Sequence, residues 1–132
     1  MRAYYLDSSV AVRIILGHSI DAAEWFDATT ADRDSRIISS RLLRTELTRV
    51  LRREGLPVLD RGQIIDYIDT IPVDHAVLNE AEAIISHIKT LDAIHLASAL
   101  RSGLDDLTVV THDKTMATVA GDLGFEVYDP VR

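Results

Sequence analysis

Four acids occupy positions from which carboxylates can do chemistry: Asp7, Glu46, Asp92 and Asp113. Asp7 closes the apolar run Ala3-Tyr4-Tyr5-Leu6, and Asp113 lies three residues beyond Val110, near the end of the run Leu107-Thr-Val-Val110. Asp92 opens an apolar stretch that ends at Leu100. Glu46 has Leu42, Leu43, Arg49 and Val50 three and four residues away on a helix. Three aliphatic neighbours place it near the core boundary, where a charge is costly unless something compensates it. If the four converge, repulsion raises their pKa values and strains the fold. A divalent cation relieves that conflict, polarises a phosphoryl oxygen and makes a bound water nucleophilic near neutral pH; a second ion would steady the leaving oxygen. Each aspartate also has a plainer reading, because aspartate is a favoured helix N-cap. For Glu46 the plainer reading is a pair with Arg49 or Arg53 on an exposed flank. Ser9 and Thr111 are placed to orient a carboxylate or a water, or to cap a helix.

The elements that must position these groups follow from periodicity. Ala3–Leu6 reads as a strand, and Asp7-Ser8-Ser9 caps a helix running from Val10 to Leu16. Gly17-His18-Ser19 breaks the chain before a helix from Ile20 to Thr30. Arg36–Ser39 reads as a strand, and Arg41–Arg53 as an amphipathic helix with Leu43, Leu47, Val50 and Leu51 at helical spacing. Gly55-Leu56-Pro57 ends it. A helix is expected over Asp60–Asp69, a short strand over Ile71–Val73, and helices over Ala76–Ile88 and Asp92–Leu100. Small residues in the last of these suit close packing on a sheet. Leu107–Val110 is a strand, Lys114–Leu123 a helix closed by Gly124, and Phe125–Tyr128 a final strand. Strands alternating with helices imply an α/β fold, a three-layer α/β/α sandwich around a mostly parallel central sheet. Ligands of such sheets bind beyond the carboxyl ends of the strands, where Asp7 and Asp113 fall.

Composition narrows the chemistry. The 132 residues and 47% apolar content fit one compact globular domain. The absence of cysteine excludes disulfides, thiolate zinc sites and cysteine nucleophiles. His18, His75, His87, His95 and His112 show no metal-ligand pairing such as HExxH. A bound metal is therefore held by oxygen, which favours magnesium or manganese. No signal-peptide pattern or membrane-length apolar run is present, so a cytoplasmic location is expected. The net charge of −7 argues against nucleic acid at first sight, but the charge is uneven. Arg36, Arg41, Arg44, Arg49, Arg52, Arg53 and Arg61 fall in one segment with only Glu46, Glu54 and Asp60 as acids. That segment suits either a phosphate-bearing substrate or a solvated helix face.

The segments Tyr5-Leu-Asp7-Ser-Ser9, Arg44-Thr-Glu46-Leu47, Thr90-Leu-Asp92-Ala-Ile-His-Leu-Ala-Ser-Ala-Leu100 and Val110-Thr-His-Asp113-Lys114 resemble the PIN-domain nucleases. Within that family they resemble the VapC toxins of bacterial toxin–antitoxin pairs. The likeness spans nearly the whole chain, and the segment from Leu91 to Leu100 is the most specific part. It implies that residues 1–132 form a single PIN-like nuclease domain. It implies an acidic quartet of Asp7, Glu46, Asp92 and Asp113 that holds Mg2+ or Mn2+, with Asp7 and Asp92 as foremost ligands and Ser9 and Thr111 as supporting hydroxyls. The implied activity is hydrolysis of RNA phosphodiester bonds, commonly in transfer or ribosomal RNA. The implied partners are a cognate antitoxin and a second copy of the chain.

His95, about one turn after Asp92, reads as a packed histidine or one that supports an acid rather than a catalyst, and His112 is unassigned. Trp25 and Phe26 suit core and interface packing, with base stacking or antitoxin contact as alternatives. Two other classes compete. A phosphoacceptor signalling domain would pair the first-strand acid with an adjacent acid, whereas Ser8 follows Asp7 and the mid-chain acceptor would be Asp74. A non-catalytic binding module would use every acid as a helix cap, and would tolerate Asp7→Asn.

Overall fold

A computed structural model describes residues 1–131. Five strands form one sheet: β1 (Arg2–Leu6), β2 (Ser35–Ser40), β3 (Asp69–Ile71), β4 (Leu107–Val110) and β5 (Glu126–Tyr128). Their spatial order is β3-β2-β1-β4-β5 and every pairing is parallel. Helices α1 (Ser8–Ile15), α2 (Ile20–Ala31), α3 (Leu42–Arg53) and the single turn α4 (Gly62–Ile65) connect β1 to β2 and β2 to β3. Helices α5 (His75–Ala83), α6 (Thr90–Leu100) and α7 (Lys114–Asp122) connect the remaining strands. From β1 the chain steps towards β3, and from β4 it steps the opposite way. Right-handed crossovers therefore put α1–α4 on one face of the sheet and α5–α7 on the other.

Alternation along the strands divides the core accordingly. Leu6, Ile37 and Val110 pack with Val10, Phe26, Leu43, Leu47 and Ile64. Tyr5, Ile38 and Val109 pack with Leu96, Ala99, Met116 and Val119 on the other face. Strands buried on both faces need continuous apolar runs, which the central strands have. In α3, Leu43, Leu47 and Leu51 form the buried stripe, and its arginines lie outside it. Gly55 ends that helix at φ 67, with Leu56 N–H donating to Leu51 O and Gly55 N–H to Arg52 O. This double bond across a left-handed residue is the stop that glycine makes without steric cost. Trp25 packs edge-on to Tyr4 at 5.7 Å and beside Tyr128, while Phe26 is buried.

Three expected elements differ, among them the strand expected over Ile71–Val73, which runs over Asp69–Ile71. Instead of one helix over Asp60–Asp69 the chain forms a 3-10 turn at Val58–Arg61, α4, and then β3. Asp69 pairs with Ile38, so sheet pairing takes the end of the expected helix, and Pro72, lacking an N–H, ends the strand at Ile71. The helix expected to reach Ile88 stops at Ala83, where Ile84 turns extended; Ile84 and Ile88 pack on the core from irregular chain. No helix among the described residues is long and apolar enough to cross a membrane.

Candidate active site

The reversal in strand order falls between β1 and β4, and such a reversal opens a crevice beyond the strands' carboxyl ends. Asp7 follows β1, and Thr111, His112 and Asp113 follow β4. Asp7 N–H donates to Val110 O, which ties the two exits together. A cavity of about 330 Å³ opens there, lined by Asp7, Ser8, Ser9, Val12, Arg13, Glu46, Val50, Arg53, Asp92 and Asp113. Elements from all three layers thus deliver the four acids to one opening.

Asp7 is 2% exposed. Its Oδ2 accepts from Ser9 Oγ at 2.7 Å and from Thr111 Oγ1 at 2.8 Å. Each hydroxyl has a single proton. Both protons point at Asp7, and the hydroxyl oxygens in turn accept from His112 N–H and Asp113 N–H. The loop after β4 is therefore sewn to the carboxylate through two hydroxyls. Asp7 Oδ1 is buried and has no hydrogen-bond partner among the described residues. Asp7 stands at the N-cap position of α1 but makes no side-chain cap. Asp92 does not cap either: Lys89 holds that place, and Asp92 sits in the first turn of α6. Asp113 does cap, its Oδ1 accepting from Met116 N–H at 2.9 Å. The capping alternative thus holds for one of the three aspartates.

Glu46 pairs with neither Arg49 nor Arg53. Its Oε1 accepts from His95 Nε2 at 2.6 Å, and its side chain is 19% exposed. His95 is fully buried and engages Tyr5 Oη through Nδ1 at 2.7 Å. Burial alone would lower the imidazole pKa, but the hydrogen bond and charge of Glu46, with Asp7 and Asp92 behind, raise it. Burial raises the Asp92 carboxyl, and the charges of Asp7 and Asp113 push it the same way. A half-buried acid whose ionisation two neighbouring carboxylates also oppose marks a place suited to a positive charge.

The donors available are all oxygen, and one of them is an orphaned, buried carboxylate oxygen, which suits a hard divalent ion such as magnesium or manganese. Among the described residues, however, no three histidine or carboxylate side chains are gathered closely enough to clasp an ion. The acids share the cavity without closing on one point.

Sequence reasoning missed two members of this site. Arg13 lines the cavity and donates to Ser9 O at 2.7 Å. It lies four residues after Ser9, on the same face of α1, and that spacing was the available signal. Tyr5 lies two residues before Asp7, so alternation aims both towards one face of the sheet. Of the seven clustered arginines, Arg53 reaches the cavity, Arg36 pairs with Asp69, and Arg44, Arg49 and Arg52 are solvated. His112 Nδ1 meets Asp129 Oδ2 at 2.8 Å on the exposed side of the loop. Asp74, the acceptor candidate of a signalling domain, caps α5 through Val77 N–H and does not line this cavity.

Comparison with known proteins agrees with this architecture. The PIN domain family matches residues 4–122. Ribonuclease VapC46 of Mycobacterium tuberculosis is 35% identical over 98% of this chain and 99% of its own length. Ribonuclease VapC35 of the same organism is 34% identical over 96% of each chain. The crystal structure of VapBC2 from Rickettsia felis bound to a promoter DNA fragment contains a chain of the same fold, with a TM-score of 0.72 and 12% identity over 96% of this chain and 98% of that one. With matches of this extent, the chain belongs to the PIN-domain family, alongside the proteins named ribonuclease VapC.

Proposed function

We propose that this chain is a metal-dependent endoribonuclease and the toxin of a toxin–antitoxin pair, acting in the cytoplasm as a single nuclease domain. One observation carries the reading: a buried, partnerless Asp7 Oδ1 in a cavity that three further carboxylates line. The names of the relatives supply the substrate class.

In this reading Asp7, Glu46, Asp92 and Asp113 hold Mg2+ or Mn2+. The bound ion supplies a Lewis acid for the phosphoryl oxygen and a lowered pKa for the attacking water. The chain does the rest. Ser9 and Thr111 hold Asp7 in one orientation by occupying Oδ2, which leaves Oδ1 for the cavity. Arg13 and Arg53 flank the acids and meet the phosphates on either side of the scissile bond, which offsets the repulsion that four carboxylates present to RNA. Asp113 keeps the chain after β4 in place by capping α7.

Transfer or ribosomal RNA is the proposed substrate, and a cognate antitoxin the proposed inhibitor. A homodimer belongs to the same reading. Fully exposed Ile85, with Leu78 and Leu91 nearby in the chain, is the apolar surface it would cover. Sedimentation of Ile85→Asp beside the parent checks this point, and an unchanged dimer removes that surface from consideration.

The deciding experiment incubates purified protein with total RNA, with and without magnesium or manganese, beside a folded Asp7→Asn variant. Discrete, metal-dependent cuts that vanish in the variant are expected. Cleavage that survives chelator or the substitution sinks the carboxylate mechanism.

A further inference from the structure

Tyr5 and His95 have no role in the mechanism above, yet with Glu46 they form a three-member chain that joins all three layers of the fold. Tyr5 comes from β1, His95 from α6 on one face, and Glu46 from α3 on the other. A carboxylate can only accept, so His95 Nε2 carries the proton that it donates to Glu46. Nδ1 is engaged by the Tyr5 hydroxyl, and the two rings meet edge to face at 5.8 Å. Both ring nitrogens are thus committed, and the imidazole has no freedom to turn.

Burial drives the tyrosine pKa far above its usual range, so the hydroxyl stays protonated and the chain stays intact. Tyr5 and His95 are wholly buried, and Glu46 alone reaches the cavity. Glu46 also has competitors for its charge. Arg49 and Arg53 lie three and seven residues further along α3, on the flank where a glutamate ordinarily finds its ion pair. A glutamate on a helix has three rotatable bonds, and nothing in α3 itself chooses the inward direction.

Resting on the nuclease reading, we propose that Tyr5 and His95 form a positioning unit. It takes one oxygen of Glu46, in place of an ion pair with Arg49 or Arg53, and presents the second oxygen to the cavity. Neither residue touches substrate. Their effect on catalysis passes through Glu46 alone.

That restriction makes the test sharp. Tyr5→Phe keeps the buried ring and removes one hydroxyl; His95→Gln removes the fixed imidazole. We expect kcat to fall about tenfold in the first and on the order of 100-fold in the second, with KM for RNA changed less than about twofold. On a Glu46→Ala background each substitution should change kcat by less than about twofold, because the group it orients is gone. Thermal stability reports packing: the loss from Tyr5→Phe should be alike in both backgrounds, whereas His95→Gln should lose less where Glu46, its hydrogen-bond partner, is already gone. Proton–nitrogen spectra of the His95 ring give a readout free of activity: a slowly exchanging Nε2 proton in the parent that moves in Glu46→Ala.

Equal falls in kcat on both backgrounds, or lost stability with kcat intact, overturn the proposal and leave a merely structural histidine. So does a Glu46→Ala variant as active as the parent. If the parent cuts no RNA under any metal, the nuclease reading fails by itself. The spectra then decide the positioning unit, and an Nε2 proton indifferent to Glu46 rejects it.

Discussion

Replacing Asp7 by asparagine removes one charge and almost no volume, and the expected effect on stability depends on whether divalent ions are present. In chelator the opposing contributions nearly cancel. The two hydroxyl bonds to Oδ2 are charge-assisted in the parent and neutral in the variant, a loss of about 1 kcal/mol each. Against this, the parent buries a charged oxygen with no partner, which costs about 2 kcal/mol more than a neutral atom left unpartnered in the same place. Relief of repulsion with Asp92 adds to the gain. The variant should therefore unfold within about 1 kcal/mol of the parent, or roughly 4 °C for a chain of this size. With manganese at about 100 times its dissociation constant, the parent gains about 2.7 kcal/mol, near 10 °C, and the variant gains nothing. Thermal unfolding of both proteins in chelator and in a manganese titration measures all four values. A variant destabilised by more than about 3 kcal/mol in chelator, with an ion response equal to the parent's, would falsify this account. Asp7 would then be a structural hub rather than a carboxylate kept unpaired for a cation.

Three further outcomes are expected. Thr111→Val removes a bond to Asp7 and leaves the Asp113 N–H without its acceptor, so chemical denaturation should show a loss of about 1–3 kcal/mol even in chelator. Arg53→Ala should raise KM for RNA and flatten the dependence of binding on salt while leaving kcat largely intact; a fall confined to kcat would remove Arg53 from the phosphate path. Stability without metal should fall as pH rises. Asp92 has a raised folded-state pKa, through burial and then Asp7 and Asp113, so its ionised form is disfavoured in the folded protein. That penalty is absent below the unfolded value and grows as pH climbs through the folded one. His95 is also raised, Glu46 overcoming the effect of burial, so its contribution is complete below the unfolded value and is lost as pH rises through the folded one. Urea unfolding in chelator from about pH 4 to about pH 8.5 checks the direction, with Asp92→Asn reducing the slope at the acid end and His95→Gln at the neutral end; stability that rises over both ranges contradicts both assignments.

Much of this protein was legible from its residues one stretch at a time. The β-branched and aromatic runs marked β1, β2 and β4, and the leucine spacing of α3 marked its buried stripe. Alternation of strand and helix implied the layered sheet, and the oxygen-only inventory of possible ligands pointed to a hard cation. These are local properties, set by periodicity and side-chain chemistry. What failed locally failed through competition with distant chain. Helical residues near Asp69 were taken by pairing with β2, and Ile84 and Ile88 reached the core without a helix.

The site shows the same division. Spacing named Asp7, Glu46, Asp92 and Asp113, but could not say that Asp113 alone caps its helix or that Asp7 keeps one oxygen unpaired. It offered Glu46 the arginines of its own helix, because sequence displays neighbours three and four residues away and nothing else. The partner it takes is 49 residues distant, on the opposite layer, and is itself held by a tyrosine 90 residues from it, back in the first strand. Sequence determines which groups are available for chemistry. Only the tertiary structure determines which of them meet, because burial forces each polar atom to find its partner wherever the folded chain has brought one within reach.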